Sequence, residues 1–464
     1  GSGAFPMGML LRMVDVLRIL REIPDDESVY NLKLELIENC IYGADIQCIA
    51  AQISKLRFFI SLVCEQKKNE SAENFGIHFL PNLETKFVAA NSLIGLPQDG
   101  EVLPMQDVEA LKKDLWDVRH KHFTARSYQE KKDLRKEDRR LRTALAKALE
   151  HGGGFDTESA RLMAAWDPYD QNTSAPFFDP KWMFKVDHGF DLVIGNPPFV
   201  QIQKLPPYMK DALASQQYRT FSKTADLYCL FYERGGALLG PAGTLCYISS
   251  NKFFRAGYAR PLRRLLTHDY SLYLLLDFSE LPVFEAGTDP VITQFGKVKR
   301  PTLTAATIKD YADVQMLPSA VSALGMQMTP DDLSDDGWSL SGKESAAILD
   351  KMRAHSTSLG EYVDHEIYRG VLTGFNKAFV LTGEERQALI QADPKSAEII
   401  KPLAKGDDVR KWHVRNKDRW LILTKIGVDI KRYPAIFKHL KQWEPELKQR
   451  QDKGNHWWEL RACG

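Results

Sequence analysis

The chain is predicted to build an α/β fold around a doubly wound sheet, and three observations lead there. Short apolar runs with strand character recur near Ile41, Val88, Asp191, Leu245, Leu274 and Val291, and stretches of helical periodicity separate them. One run, Phe190-Asp191-Leu192-Val193-Ile194-Gly195, reads as a buried parallel strand. It closes on Asn196-Pro197-Pro198-Phe199, a polar loop at a strand's carboxyl end, which is where doubly wound sheets bind their ligands.

In chain order, the opening Gly1-Ser2-Gly3-Ala4-Phe5 permits positive φ and close backbone approach to a ligand. Apolar residues at helical spacing over 8–20 make it a turn into a helix amino end. The stretch Cys40-Ile41 leads to Tyr42-Gly43-Ala44-Asp45, where an acid at a strand's end can accept both hydroxyls of a ribose. Asp45 equally suits a helix N-cap, since 47–59 continues as a helix. Residues 107–150 are almost all helix formers, and 130–142 is charged enough to predict a solvated helix or helical hairpin. Its Lys and Arg could touch phosphates, but a run of mixed sign is ordinarily plain surface, and that reading is preferred. Gly152-Gly153-Gly154 ends this insert. After the proline loop, the turn Gly240-Pro241-Ala242-Gly243 opens a strand that runs to Ile248. Ser249-Ser250-Asn251-Lys252-Phe253-Phe254-Arg255-Ala256-Gly257-Tyr258 follows. Adjacent Phe253 and Phe254 do not both face solvent, so at least one is core, whereas Tyr258 follows a glycine, precedes a helix and is the better exposed ring. Residues 301–340 read as a connector punctuated by Pro330-Asp331-Asp332 and Ser334-Asp335-Asp336-Gly337, and a second module follows.

The atoms of the proline loop suggest its chemistry. Two consecutive prolines hold φ at about −65° and cannot join a ladder, so the loop is stiff. The Asn196 side-chain oxygen and the Pro197 carbonyl are two acceptors, matching the two N–H donors of one exocyclic amino group. Held in the geometry of an sp3 nitrogen, that amine has its lone pair free for nucleophilic attack. Phe199 offers a face on which a flat base can stack.

Composition fits a multidomain enzyme: 464 residues give a prior of about three domains, and 44% hydrophobic residues suffice for large cores. The longest apolar runs, such as Leu272-Tyr273-Leu274-Leu275-Leu276, fall far short of the roughly 20 residues that cross a bilayer, so no membrane is expected. Six cysteines without Cys-x-x-Cys spacing indicate neither a zinc site nor a disulfide framework, and point to the reducing cytoplasm. A net charge of +1 hides a segregation, because Lys401 onward holds 16 Lys and Arg against 8 Asp and Glu. The same stretch carries Trp412, Trp420, Trp443, Trp457 and Trp458 among Arg415, Arg419, Lys431 and Arg432. That is the composition of a nucleic-acid surface, although a small half-buried domain shares it.

Asn196-Pro197-Pro198-Phe199 resembles the Asn-Pro-Pro-aromatic motif of amino-methyltransferases. Gly1 to Phe5 resembles the end of that family's Gly-rich loop for S-adenosylmethionine, and Ile41-Tyr42-Gly43-Ala44-Asp45-Ile46 its second strand, with Asp45 as the ribose-binding acid. Asn91-Ser92-Leu93 resembles the third cofactor motif, Ala225-Asp226-Leu227-Tyr228 the fifth, and the stretch from Ser249 the eighth, in which Tyr258, with Phe254 as its rival, stacks on a flipped base. The order is also the family's. The chain is thus similar to the adenine-N6 DNA methyltransferases of the large restriction-modification, type IIG-like kind, in which modification and specificity parts share one polypeptide.

The resemblance implies a Rossmann-like, S-adenosylmethionine-dependent methyltransferase sheet in residues 1–98 and 185–300, a helical insert in 99–184, and a connector in 301–340. An incomplete α+β target-recognition domain fills 341–464, where Arg369-Gly370-Val371-Leu372-Thr373-Gly374-Phe375-Asn376-Lys377 and Ile400-Lys401-Pro402 carry the likeness. Catalysis falls to Asn196, Pro197, Pro198 and Phe199, and target-base stacking to Phe199 and Tyr258. Cofactor binding falls to Gly1, Gly3, Ala4, Phe5, Asp45, Ile46, Asn91, Ser92 and Asn196. Double-stranded DNA meets Lys252, Arg255, Asn376, Lys377, Arg410, Lys411, Trp412 and Arg415. Methyl transfer of this kind needs no metal. The family's first strand and its Asp-Pro-x-x do not precede Gly1, so the resemblance implies a fragment of a longer polypeptide whose remainder could carry a nuclease. Two alternatives share the motif: a protein glutamine N-methyltransferase, because a primary amide also presents two N–H donors, and an inactive DNA-binding module on the same fold. The basic, aromatic second module favours DNA.

Overall fold

The computed structural model describes all residues except 23–25, 72, 78–79, 97–105, 152–155, 280, 285–288, 341–342, 368–369 and 462–464. The Gly152-Gly153-Gly154 turn, Arg369, Cys463 and the boundaries drawn at 98 and 341 lie outside the described residues. The chain divides into two units, residues 1–342 and 343–464.

In the first unit, α1 (Ala4–Leu20), α2 (Asp26–Asn39) and α3 (Cys48–Val63) pack together beside β1 (Gly43–Asp45), which pairs in parallel with β2 (Phe87–Ala89). Leu10 and Val14 of α1, Leu32 and Leu36 of α2, and Phe58 and Leu62 of α3 each stand four residues apart on one helix face. They meet in one core with Phe87. Each such side chain contributes about 1.5–3 kcal/mol by leaving water.

The insert is a helical hairpin, α4 (Gln106–Thr124) against α5 (Tyr128–His151), followed by α6 (Thr157–Ala165) and α7 (Pro180–Phe184). Leu141, Leu145 and Leu149 recur every four residues along α5 and join Leu115 and Val118 of α4 in a core with Trp166, Trp182 and Val88. The charge run is not all surface, contrary to the reading from its mixed sign. Asp138 and Arg142 are buried, and Asp138 accepts from Arg119 Nε at 2.8 Å and from Arg142 Nε at 2.6 Å. Arg119 also donates to the Trp182 carbonyl and Arg142 to the Ala164 carbonyl. Charges enter a core when each finds a partner there, and sequence period does not report partners.

Beyond the insert come β3 (Phe190–Gly195), α8 (Pro207–Ser215), α9 (Tyr228–Ala237), β4 (Leu239–Ser250), α10 (Arg260–Arg264), β5 (Ser271–Asp277) and β6 (Pro290–Gly296). The stretch read as a connector supplies β7 (Leu303–Thr307) and β8 (Met326–Met328), completing a six-stranded sheet in the order β3-β4-β6-β5-β7-β8. β4 is parallel to β3 and β7 to β5, while β6 and β8 run antiparallel to their neighbours, so the sheet is mixed. β3 is parallel as expected but not buried. Among the described residues it pairs in the sheet with β4 alone, and Asp191 and Leu192, on opposite faces, are exposed, so neither face of this edge strand is covered there. Helix α9 lies close against this sheet: a Cβ on Gly235 would stand 2.5 Å from Leu245 Cδ1 and 2.6 Å from the Tyr247 hydroxyl, so any side chain there would force these two to shift.

The second unit is α+β. Its strands are β9 (Val380–Thr382), β10 (Ile400–Pro402), β11 (Val409–Arg410), β12 (His413–Val414) and β13 (Arg419–Ile422). Three form an antiparallel sheet in the order β10-β13-β9, and β11 with β12 makes a separate hairpin. Phe379, Ile422, Ile436, Leu440 and Leu447 form the core. Trp420, Trp443, Trp457 and Trp458, read as part of a nucleic-acid surface, pack against that core instead. Large flat rings bury more area than any neighbour, and the core claims them. Arg450 donates to the Thr373 carbonyl at 2.6 Å and the Trp457 carbonyl at 2.9 Å, and its burial pushes its pKa down to about 10. Among the described residues no helix is long and apolar enough to cross a membrane.

Candidate active site

Candidate loops follow the carboxyl ends of three strands: Asp45 ends β1, Asn91 and Ser92 follow β2, and Asn196 follows β3. At the first, Gly3 caps α1 with φ at +78°, and a Cβ there would lie 2.6 Å from Ser54 Oγ. The missing side chain therefore faces α3, and this glycine serves helix packing as well as the turn. Asp45 Oδ2 accepts from the Gly1 ammonium, and Oδ1 accepts from the Gln47 N–H at 2.8 Å, closing a local turn; the N-cap of α3 is Gln47, so Asp45 does not take the capping role that its sequence position also suited. Ala4, Phe5 and Ile46 are exposed beside them, Ile46 by 48%. Glycines, acid and apolar flank thus gather at one corner.

The loop after β2 is tied down by its neighbours. Asn91 Oδ1 accepts from the Leu93 N–H at 3.3 Å, closing a local turn, and the Ser92 carbonyl accepts from Arg234 Nε at 3.1 Å. The Leu93 carbonyl accepts from the Tyr218 hydroxyl at 2.5 Å, and burial pushes that phenol up to about 12.

In the proline loop, Asn196 is exposed and Pro197 buried, while Pro198 is exposed and Phe199 half-buried. Among the described residues the Asn196 side chain makes no hydrogen bond. Backbone pairing anchors the loop, with Leu227 N–H on the Val200 carbonyl at 2.7 Å and Ile202 N–H on the Ala225 carbonyl at 2.9 Å. Phe199 meets Tyr228 edge-on at 6.5 Å and Phe284 at 6.0 Å between ring centroids. Tyr258 is half-buried, donates to Asp226 Oδ2 at 2.6 Å, and lies 3.2 Å from the Tyr228 hydroxyl. Burial and the Asp226 carboxylate push its pKa up, so it stays protonated as a donor. Both Phe253 and Phe254 are core and pack on Trp338, which removes Phe254 as a rival to Tyr258. Leu93, Ile202, Ala225, Leu227 and Leu230 form an apolar base on which Tyr258 rests, so the loops after β2 and β3 share one support.

Asp226, Tyr228, Arg234 and Phe284 organise this region and were not singled out from sequence. Asp226 and Tyr228 stood inside a recognised motif, but the partner of Asp226 is 32 residues away, and only folding pairs them. Of the DNA candidates, Lys252 and Arg255 are exposed just beyond β4. In the second unit Asn376, Lys377, Arg410, Lys411, Trp412 and Arg415 are exposed, with Asn376 Oδ1 accepting from Thr373 Oγ1 at 2.6 Å.

The expected single doubly wound sheet is divided here: β1 and β2, with the loops at Asp45 and Asn91, pair apart from the six-stranded mixed sheet that carries the proline-stiffened loop after β3, and the unit is an α/β protein with ligand-type loops at three strand ends. The chain matches, over residues 39–284, the model of the Eco57I restriction-modification methylase family, and it belongs to that family. It is 25% identical over 268 residues to the type II methyltransferase M.PaeR7I of Pseudomonas aeruginosa, covering 54% of this chain and 45% of that one. To M.XhoI of Xanthomonas vasicola it is 26% identical over 296 residues, covering 58% and 52%. A solved structure of the type IIL restriction-modification enzyme MmeI in complex with DNA is similar at TM-score 0.42 and 13% identity, over 94% of this chain and 53% of that one. The chain spans about half the length of these curated relatives.

Proposed function

We propose that this chain is the modification part of a cytoplasmic restriction-modification protein that methylates N6 of an adenine turned out of double-stranded DNA. One observation carries the reading: an exposed amide, without a hydrogen bond among the described residues, on a proline-stiffened loop that shares its support with the loop after β2 and with a half-buried tyrosine. Extruding the adenine costs a few kcal/mol, on the order of what unstacking requires. Asn196 Oδ1 and the Pro197 carbonyl accept its two N–H groups and orient the nitrogen lone pair. Phe199 and Tyr258, both braced by Tyr228, take its ring faces.

The corner where Gly1, Gly3, Ala4 and Phe5 meet Asp45 fits a nucleoside: a carboxylate for the ribose hydroxyls beside the exposed Ile46 for a flat base, with Asn91 and Ser92 on the adjoining loop. S-adenosylmethionine, when bound there, supplies the methyl group. Lys252 and Arg255 meet phosphates, and the second unit acts as the target-recognition domain, with Asn376, Lys377, Arg410, Lys411, Trp412 and Arg415 toward the duplex. The test is incubation of the full-length protein with duplex DNA and methyl-labelled cofactor, followed by nucleoside analysis. N6-methyladenine is expected, and Asn196→Ala should lower its formation on the order of 10²–10³-fold with a far smaller loss of cofactor affinity. Label in cytosine or in protein, or normal methylation by Asn196→Ala, would refute the proposal.

A further inference from the structure

We infer that the β11–β12 hairpin is a wedge that enters a groove of duplex DNA and presses the Trp412 ring against a base step; this rests on the DNA reading above. Val409 pairs with Val414 and Arg410 with His413, so Lys411 and Trp412 alone form the turn. The positive φ falls on Trp412, at +72°, and not on Lys411, the pattern of a type II turn whose second position glycine ordinarily fills. Trp412 is 92% exposed, so burial does not account for a large aromatic at a position that glycine ordinarily fills. Four of the five tryptophans in this stretch are recruited by the core, and this one is held out of it.

Charge and anchoring name the partner. Residues 409–417 carry Arg410, Lys411, Arg415 and Lys417 without a carboxylate, a density that suits a polyanion. The Lys411 ammonium lies 5.8 Å from the centre of the Trp412 ring. At the base, buried Asp408 accepts from the Lys405 N–H at 2.8 Å and pairs with Arg419 and with Lys417 at 3.4 Å, while the Arg415 N–H bonds the Asp408 carbonyl at 2.8 Å. A short hairpin clamped at its root and cationic along its sides delivers one ring to one place. Rigid aromatics stack on any base face, so the contact adds affinity and local unstacking without choosing a sequence by itself.

The test uses the full chain and a short fluorescein-labelled duplex of randomised sequence at low salt, with a matched duplex carrying 2-aminopurine to report unstacking. Trp412→Ala should weaken binding on the order of tenfold and abolish the 2-aminopurine rise, and Trp412→Phe should retain most of both. Arg410→Gln should reduce the salt slope by about one and leave the rise in place. Trp412→Gly should match or exceed the wild-type melting temperature, which separates loss of the ring from loss of fold. Equal binding and an equal rise in Trp412→Ala would overturn the wedge alone, as would a change confined to self-association in sedimentation. A wild-type chain that binds no duplex would overturn both the wedge and the DNA reading.

Discussion

Replacing Asp138 by Ala should destabilise the first unit by about 3–5 kcal/mol, the range measured when one partner of a buried ion pair is removed. The magnitude follows from what is left behind. Arg119 and Arg142 have side chains only 3% and 2% exposed, and both Nε atoms lose their acceptor at once. Burial pushes the Asp138 carboxyl up, but the two guanidiniums beside it outweigh burial and hold its pKa below the ordinary range. A carboxylate depressed in the folded state contributes stability that is fully present above its unfolded pKa of about 3.9 and is lost as pH falls through the lower folded value. Wild type should therefore weaken in that acid window, and Asp138→Ala should lack this component. Urea unfolding followed by hydrogen exchange at α4 and α5 amides reads the effect locally. The rings of Trp116 and Trp166, 4.6 and 5.3 Å from the Arg119 guanidinium, add a fluorescence signal. Asp138→Asn, which keeps an acceptor but not the charge, should fall between. A loss below about 1 kcal/mol in Asp138→Ala would refute the argument, because the guanidiniums would then have found other acceptors.

Two further outcomes concern the candidate site. Asp226→Ala removes the acceptor of a charge-assisted hydrogen bond worth about 1.5–3 kcal/mol. It should slow single-turnover methylation on the order of tenfold with cofactor affinity unchanged, and Asp226→Asn should recover part of the rate. Gly3→Ala places a Cβ 2.6 Å from Ser54 Oγ and 2.9 Å from Ser54 Cα at a φ of +78°, so trimming Ser54 cannot relieve it. Backbone strain alone is about 1–2 kcal/mol. A lower melting temperature and weaker S-adenosylmethionine binding by equilibrium dialysis are expected together.

Apolar runs made the strands at Val88, Leu245, Leu274 and Val291 legible, because a strand covered on its faces must be apolar whatever surrounds it, and the same pattern marked the strand at Asp191 although its Asp191 and Leu192 are exposed. The strands at Leu303–Thr307 and Met326–Met328 escaped notice, since Ala and Thr dominate one and the other is three residues long. The proline loop announced its place at a strand end through covalent chemistry alone. What supports that loop did not, because the Tyr258–Asp226 bond and the Phe199–Tyr228 contact join segments about 30 residues apart. The same gap between composition and partner hid the burial of Asp138 and the sorting of the tryptophans, four to the core and one to solvent.

Helix α9 touches the candidate site at both ends: Tyr228 braces Phe199 and Tyr258, and Arg234 reaches the Ser92 carbonyl. Next to Arg234 stands Gly235, whose single hydrogen sets how near the helix comes to β4. The separation of the two loops is thereby referenced to one absent methyl group. A larger residue there would press on Leu245 and Tyr247, so the spacing of α9 from β4, and with it the placing of Tyr228 and Arg234, answers to a position that touches neither loop.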